Sequence, residues 1–512
     1  MRRRDEWAEA VTIGDLLLRT AADAPERDAL VFPDERLTYG ELAASARRIA
    51  RGLIGAGLRP GERVGYFMAN SPETVAAFYG IALAGGAIVP VNTRYRAQEL
   101  PFVLGNAGVK IVLTSDRIAD YVDLRTLLEE ARVDQQIYEF GANEAEFYAL
   151  ADGVSEAELD ARRIAVRVGS TAMLLFTSGT TSQPRAARLS HESLVRNWTA
   201  FGNVFRLEPG DGLWAPGPMF HLGAIGPMVM CAVHGAALLT DVYYEPDRAL
   251  KMIAREQPAV LFPAYPPITM GILTHPDFPS TDLSGIRVIL NVGPEDLLRQ
   301  IQASFPQATL VSIYALTEAG GAVTLTSLDD PLETRVSTCG LPLAGTEVKI
   351  SSEGEILVRG ISVCDGYHED PEKNAQAFDS EGWLHTGDRG ALDADGRVKF
   401  LGRLKEMMKV GGENVAEVEV ESCISTHPAV KLVQVVGVPD ARLDEVPAAY
   451  VELRPGATAT EEDIIEHCRG KIASFKVPRY VRFVTEWPMS ASKIQKGLLR
   501  ERAATELVPA DA

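Results

Sequence analysis

The chain has 512 residues, longer than one ordinary domain, so two or more packed units are expected. Hydrophobic residues make up 46% and charged residues 24%, a balance that excludes a disordered or low-complexity chain. Fifty-one Lys and Arg face 70 Asp and Glu, and the net charge of −19 argues against nucleic acid and anionic membranes as partners, while anionic ligands need only local cations.

The opening MRRRDEWAEA leads into no apolar stretch of signal-peptide type. In LTYGEL, Thr38 and Glu41 stand three apart, a capping box that predicts a helix from Tyr39. Leu42, Ile49 and Leu53 repeat on one face of it, and Gly57 ends the run. Apolar segments at 64–68, 88–91 and 109–114 read as strands with helical patterns between them, which implies parallel pairing in a covered sheet. Residues 170–330 repeat that rhythm less regularly, with Pro- and Gly-rich turns such as APGPMFHLG and NVGPED. The apolar run at 228–239 is broken by Cys231, His234 and Gly235, so no membrane span is expected. Toward the end, 430–438 and 448–453 read as strands, 460–475 as a helix capped by Thr460 with Asp463, and 480–485 as a further strand. This α+β piece follows FLGRLKEMMKVGGEN, whose charge and paired glycines suit a surface connection. The expected division is 1–402 and 403–512. Cys231, Cys339, Cys364, Cys423 and Cys468 are scattered and odd in number; they fit buried free thiols in a reducing cytoplasm better than disulfides or zinc.

The strongest local signal is LLFTSGTTSQPRAARLSH, residues 174–191. An apolar strand runs into Thr177, Ser178, Gly179, Thr180, Thr181 and Ser182, small residues whose backbone N–H groups and hydroxyls can approach an anion. Arg185 adds positive charge for phosphate oxygens. GxxxxGK[ST] is absent, which argues against a P-loop enzyme. Taken alone, the stretch reads equally as a Ser/Thr-rich surface turn.

With its companions it resembles the signature loop of the adenylate-forming superfamily, which includes acyl-CoA synthetases, peptide-synthetase adenylation domains and firefly luciferase. PMFHLG (218–223), YALTE (314–318), WLHTGD (383–388), GRLKEMMKVGGENV (402–415) and PMSASKIQK (488–496) follow in the family's order. The fold this resemblance implies is a large N-terminal multi-sheet α/β domain and a small mobile C-terminal α+β domain, with the site at their junction. The implied reaction joins a carboxylic acid to coenzyme A in two steps, through an acyl-AMP made from ATP with Mg²⁺. Lys493, Thr317 and Glu318 are the implied catalytic residues, with Glu318 also holding the metal. Thr177 through Thr181, Arg185, Tyr314, Asp388 and Arg403 are the implied nucleotide contacts. Gly411 and Gly412 would pass the pantetheine arm of coenzyme A, and Lys405 marks the hinge. His221 and Gly293 would line the acyl pocket, and His385 belongs to the WLHTGD segment. Without the family, each keeps a plainer reading: His221 as a structural histidine, Arg403 and Lys493 as surface charges, the glycines as a turn.

The sequence also departs from the family pattern. Ser182, Arg185 and Ala186 replace Gly, Lys and Gly, Ala315 replaces Gly, and SASK lacks the Gly before Lys493. These departures fall on the adenylation machinery, so any impaired half-reaction is expected to be the first. A carrier-protein loader, a one-step specialist and a silent binding protein are the alternatives, the last opposed by retention of Glu318, Asp388, Arg403 and Lys493 together.

Overall fold

The computed structural model describes residues 11–115, 123–141, 144–177, 184–404, 407–410, 413–440, 442–490 and 493–507. The capping box forms as expected: the Thr38 side chain accepts from the Glu41 N–H, Glu41 returns a bond to the Thr38 N–H, and the helix Tyr39–Gly55 follows. The strands Arg63–Phe67, Ala87–Pro90 and Val109–Ser115 lie within a residue or two of the predicted segments. Among the described residues they belong to a six-stranded sheet, in the order Gln136–Phe140, Val109–Ser115, Arg63–Phe67, Ala87–Pro90, Thr171–Thr177, Arg185–Ser190. Pairing is parallel except for the last strand.

A seven-stranded sheet runs Thr309–Val311, Val288–Asn291, Val260–Ala264, Gly212–Trp214, Ala237–Leu239, Asp28–Val31, Arg36–Thr38, again parallel but for the final strand. The two sheets share a core. One apolar cluster contains Ile88 and Met173 from the first sheet and Leu213, Val260 and Val288 from the second. Helices Pro72–Leu83, His191–Phe205 and Leu222–His234 fill the space between them, and every residue of the first except Glu73 is buried. A helix covered on all sides has no polar face, which is why its sequence lacks helical periodicity. The helix Leu222–His234 ends at Gly235, with φ +64°, and no helix among the described residues is long and apolar enough to cross a membrane.

Parallel strands place the loops after their carboxyl ends along one edge, where open α/β sheets bind ligands. Here the strand Thr171–Thr177 ends at that edge with Thr177, and the described loops are 215–221 after Gly212–Trp214, 265 after Val260–Ala264 and 292–294 after Val288–Asn291. The antiparallel sheet Thr346–Ile350, Glu355–Gly360, Leu384–Leu392, Val398–Arg403 leads from there toward the C-terminal part.

Two further apolar clusters draw only on residues 408–507. Val430–Asp440 and Asp444–Leu453 pair antiparallel, and Tyr480–Phe483 pairs parallel with the latter. The capping box at Thr460 and Asp463 forms, but the helix is Glu461–Cys468, shorter than the predicted 460–475. Arg469 turns extended and Gly470 takes φ +75°, which stops the helix despite the apolar residues beyond. Cys231, Cys364 and Cys468 are buried free thiols as expected, whereas Cys339 and Cys423 are only half-buried. Both lie at element edges, Cys339 just before the strand Leu341–Pro342 and Cys423 near the end of the helix Glu417–Ser425.

Candidate active site

Glu318 stands at the meeting point of three segments distant in sequence. It occupies the short 3-10 turn Thr317–Ala319, and its carbonyl accepts the Cys364 N–H at 2.7 Å. Thr177, the last residue of its strand, donates its hydroxyl to Glu318 Oε1 at 3.3 Å, and Tyr367 donates to the same oxygen at 2.9 Å. Burial first, and then the Glu318 carboxylate, push the Tyr367 phenol well above its ordinary pKa, so it remains a donor. The turn is braced from behind. Gly320 takes φ +71°, and its carbonyl accepts the Trp198 indole N–H at 3.1 Å. The indole fits only because residue 226 is glycine, where a Cβ would lie 1.9 Å from the ring.

Among the described residues Glu318 Oε2 accepts no hydrogen bond. One carboxylate oxygen held by two hydroxyls and the other open is a donor set that fits Mg²⁺, which takes one or two protein carboxylates and fills its shell with water and phosphate oxygens. Arg185 Nε lies 3.0 Å from Asp370 Oδ2. Asp370 in turn caps the helix Pro371–Ala377 by accepting the Lys373 N–H at 3.0 Å.

Asp388 and Arg403 sit opposite each other in the ladder between Leu384–Leu392 and Val398–Arg403. Arg403 Nε is 3.2 Å from Asp388 Oδ1, and the Tyr314 hydroxyl donates to Oδ2 at 2.7 Å. Asp388 is buried while Arg403 remains half exposed, so the guanidinium covers the carboxylate from the solvent side. Tyr314 also stacks on Phe400 at 6.0 Å and 25°. Glu355 shapes the approach to Asp388: its Oε1 accepts the Gly387 N–H at 2.8 Å, and its Oε2 lies 2.8 Å from His385 Nδ1. His385 is thereby committed to holding the WLHTGD turn.

His221 precedes the helix Leu222–His234 without capping it through its side chain, and its ring packs on Phe220 at 4.7 Å. Gly293 follows Val288–Asn291, and a Cβ there would meet Leu297 at 3.3 Å and Pro266 at 3.6 Å. A Cβ on Gly223 would meet the Tyr265 hydroxyl at 4.0 Å. The segments bearing His221 and Gly293 therefore converge on Tyr265 and Pro266, at the carboxyl edge of the seven-stranded sheet.

The structure thus gathers Thr177 with Glu318, and Tyr314 with Asp388 and Arg403. Ser178, Gly179, Thr180, Thr181, Ser182, Lys405, Gly411 and Gly412 lie outside the described residues, as does the side chain of Lys493. The Lys493 backbone belongs to a two-residue hairpin, paired with Ser490. Sequence reasoning missed Tyr367, Asp370, Glu355 and Trp198. Asp370 carries a local signal, an Asp before Pro at a helix start, but that predicts a cap and not a partner for Arg185.

The family model described as AMP-binding enzyme matches residues 17–368, and that of the AMP-binding enzyme C-terminal domain matches 419–493. A methyl-dioxo-octahydro-indenyl-propanoyl:CoA ligase of Rhodococcus jostii is 35% identical, covering 96% of this chain and 99% of its own. A mitochondrial medium-chain acyl-CoA ligase of Homo sapiens is 33% identical, covering 97% and 88%. The crystal structure of an anthranilate CoA ligase in complex with anthranoyl-AMP superposes with a TM-score of 0.87 at 26% identity, covering 98% of both chains.

Proposed function

The chain belongs to the AMP-binding enzyme family and is an ATP-dependent, AMP-forming acyl-CoA ligase, and from that premise we propose how its residues divide the work. In the first half-reaction a carboxylate oxygen attacks the α-phosphorus of ATP, the bond to the bridging oxygen breaks, and pyrophosphate leaves. In the second the coenzyme A sulfur attacks the acyl carbon, and AMP leaves with the electrons of the broken C–O bond. The protein's share of the first step is alignment and charge neutralisation. Thr177, Ser178, Gly179, Thr180, Thr181 and Arg185 cradle the phosphates, and Thr317 donates to them. Glu318 holds Mg²⁺, which when bound neutralises phosphate charge. Asp388 takes the ribose hydroxyls, exchanging its contact with Arg403 for them, while Tyr314 borders the nucleoside. Lys493 pairs with the attacking carboxylate and the oxygen joining it to phosphorus.

The second step belongs to Gly411 and Gly412, which leave room for the pantetheine arm once the unit 403–512 turns about Lys405 relative to 1–402. His221 and Gly293 border the acyl group. The walls supplied by Phe220, Tyr265, Pro266 and Leu297 favour an acid with an apolar acyl part. The five free thiols fit a reducing compartment such as the cytoplasm.

The observation that carries this reading is the convergence of Thr177 and Tyr367 on Glu318, at the end of the strand that opens the Ser/Thr/Gly loop. Lys493→Ala is the test. It should slow acyl-AMP formation by roughly two to three orders of magnitude, as loss of a transition-state donor does, while thioester formation from supplied acyl-AMP persists. Equal loss in both half-reactions would reject the assignment.

A further inference from the structure

Lys496 is the first residue of the helix Lys496–Glu506, three residues beyond Lys493, and its ammonium is turned into the protein. It lies 2.8 Å from Glu417 Oε2 and 2.5 Å from Glu421 Oε1, and the three side chains are 15%, 3% and 11% exposed. Arg500, one turn along the same helix, donates to Glu417 Oε1 at 2.8 Å. Glu421 Oε1 also accepts the Val435 N–H at 2.8 Å, which ties the cluster to the strand Val430–Asp440. Glu417 and Glu421 stand four apart on one face of the helix Glu417–Ser425, which starts directly after the hairpin Met407–Val410 and Glu413–Ala416. Burial alone would lower the Lys496 pKa, but Glu421 and Glu417 outweigh it and hold the ammonium above the ordinary lysine value.

The place of this cluster in the chain gives it a mechanical consequence. Met489 pairs with Ile494 and Ser490 with Lys493, and the Gln495 N–H donates to the Pro488 carbonyl at 2.8 Å, closing the base of the hairpin. Only Ile494 and Gln495 separate the fixed Lys496 from Lys493, and Ile494 itself packs against the apolar cluster of Val436, Tyr450 and Leu499. A buried ion cluster is a poor source of stability compared with apolar side chains of the same volume, because desolvation offsets the Coulombic gain. Its distinctive effect is registry: four charged groups are satisfied together in one relative placement of two helices.

We propose that Lys496 is a positioning residue for the adenylation half-reaction: its ion cluster with Glu417, Glu421 and Arg500 sets the register of the hairpin that carries Lys493. The inference rests on the assignment of Lys493 to that half-reaction. The strands Met407–Val410 and Glu413–Ala416, which flank Gly411 and Gly412 in sequence, have a second anchor in the pairing of Val410 with Asp444, a restraint that Lys493 lacks among the described residues.

The test uses the full-length enzyme and measures single-turnover pyrophosphate release, and separately acyl-CoA formation from synthetic acyl-AMP. Lys496→Met should slow pyrophosphate release about 30- to 100-fold, the cost of displacing a catalytic group by roughly an ångström, with KM for ATP changed less than about threefold and thioesterification less than about twofold. Lys496→Arg, whose guanidinium also bridges two carboxylates, should restore most of the lost rate. If Lys496→Met does not fold, Glu421→Gln, which keeps the side-chain shape, should give a smaller form of the same asymmetry. Undiminished adenylation, or equal loss in both half-reactions, overturns the inference. Lys493→Ala run alongside separates the two failures: if it leaves adenylation intact, the underlying assignment falls, and the inference with it.

Discussion

Replacing Tyr367 with Phe removes one hydroxyl from the face of Glu318 and keeps the ring that packs against Ala377 and Leu384. The lost bond, 2.9 Å, is shorter than the 3.3 Å bond from Thr177, so it is the firmer of the two restraints on Oε1. Hydrogen bonds to a charged group contribute about 1.5–3 kcal/mol. Thr177 remains and the carboxylate is only half-buried, so the lower end applies, and about 1.5 kcal/mol corresponds to roughly tenfold in rate. The loss should appear in kcat/KM for MgATP during adenylation, measured as pyrophosphate release at varied MgATP, with a higher Mg²⁺ concentration needed for half-maximal rate. Thioesterification of supplied acyl-AMP should be unchanged. Adenylation within about twofold of the parent enzyme would show that Tyr367 does not hold Glu318, because even a bond at the weak end of the range is worth more than that. Equal loss in both half-reactions would show that the hydroxyl serves the fold alone.

Gly411→Leu and Gly412→Leu should lower acyl-CoA formation about 100-fold or more by filling the path of the pantetheine arm, while one turnover of pyrophosphate release proceeds normally; unchanged thioesterification in both would exclude these glycines from the path. His191 gives a pH prediction. Burial pushes its imidazole down from 6.5 to about 4, and Nδ1 accepts the Ile13 N–H at 3.2 Å. Between those values the unfolded chain takes up a proton that the folded chain refuses, so stability is full above pH 6.5 and falls as pH drops toward 4. The loss between pH 7.5 and 5.5 should be on the order of 1 kcal/mol, and denaturant midpoints should show it in the parent chain but not in His191→Asn. Equal pH dependence in both would refute it.

Local patterns were legible in the sequence, and contacts between distant segments were not. Thr38 with Glu41 and Thr460 with Asp463 satisfy helix-end N–H groups within four residues, so the sequence alone shows both caps. Tyr314, Asp388 and Arg403 were each named by the segment around them, and the structure supplied their contact across 74 residues of chain and across a ladder. Tyr367, Asp370 and Glu355 carry no comparable pattern. Each acts by meeting a partner far away, Glu318, Arg185, or His385 and Gly387, and spacing along one strand or helix encodes nothing of that. The Lys496 cluster escaped for the same reason: a Lys in a charged C-terminal segment reads as surface until the helix Glu417–Ser425 is packed beside it. The overlong helix over 460–475 erred differently, because the φ +75° of Gly470 outweighed a continuing apolar period.

The most direct test of the account measures both half-reactions in one preparation. Enzyme is mixed with MgATP and each of a panel of carboxylic acids, both in excess over active sites, pyrophosphate is followed, and coenzyme A is then added. The account predicts pyrophosphate release that depends on the acid and stops at one equivalent per site, followed on addition of coenzyme A by AMP and acyl-CoA in equal amounts. Pyrophosphate release with no acyl-CoA on addition of coenzyme A, or acyl-CoA formation without AMP, would contradict it.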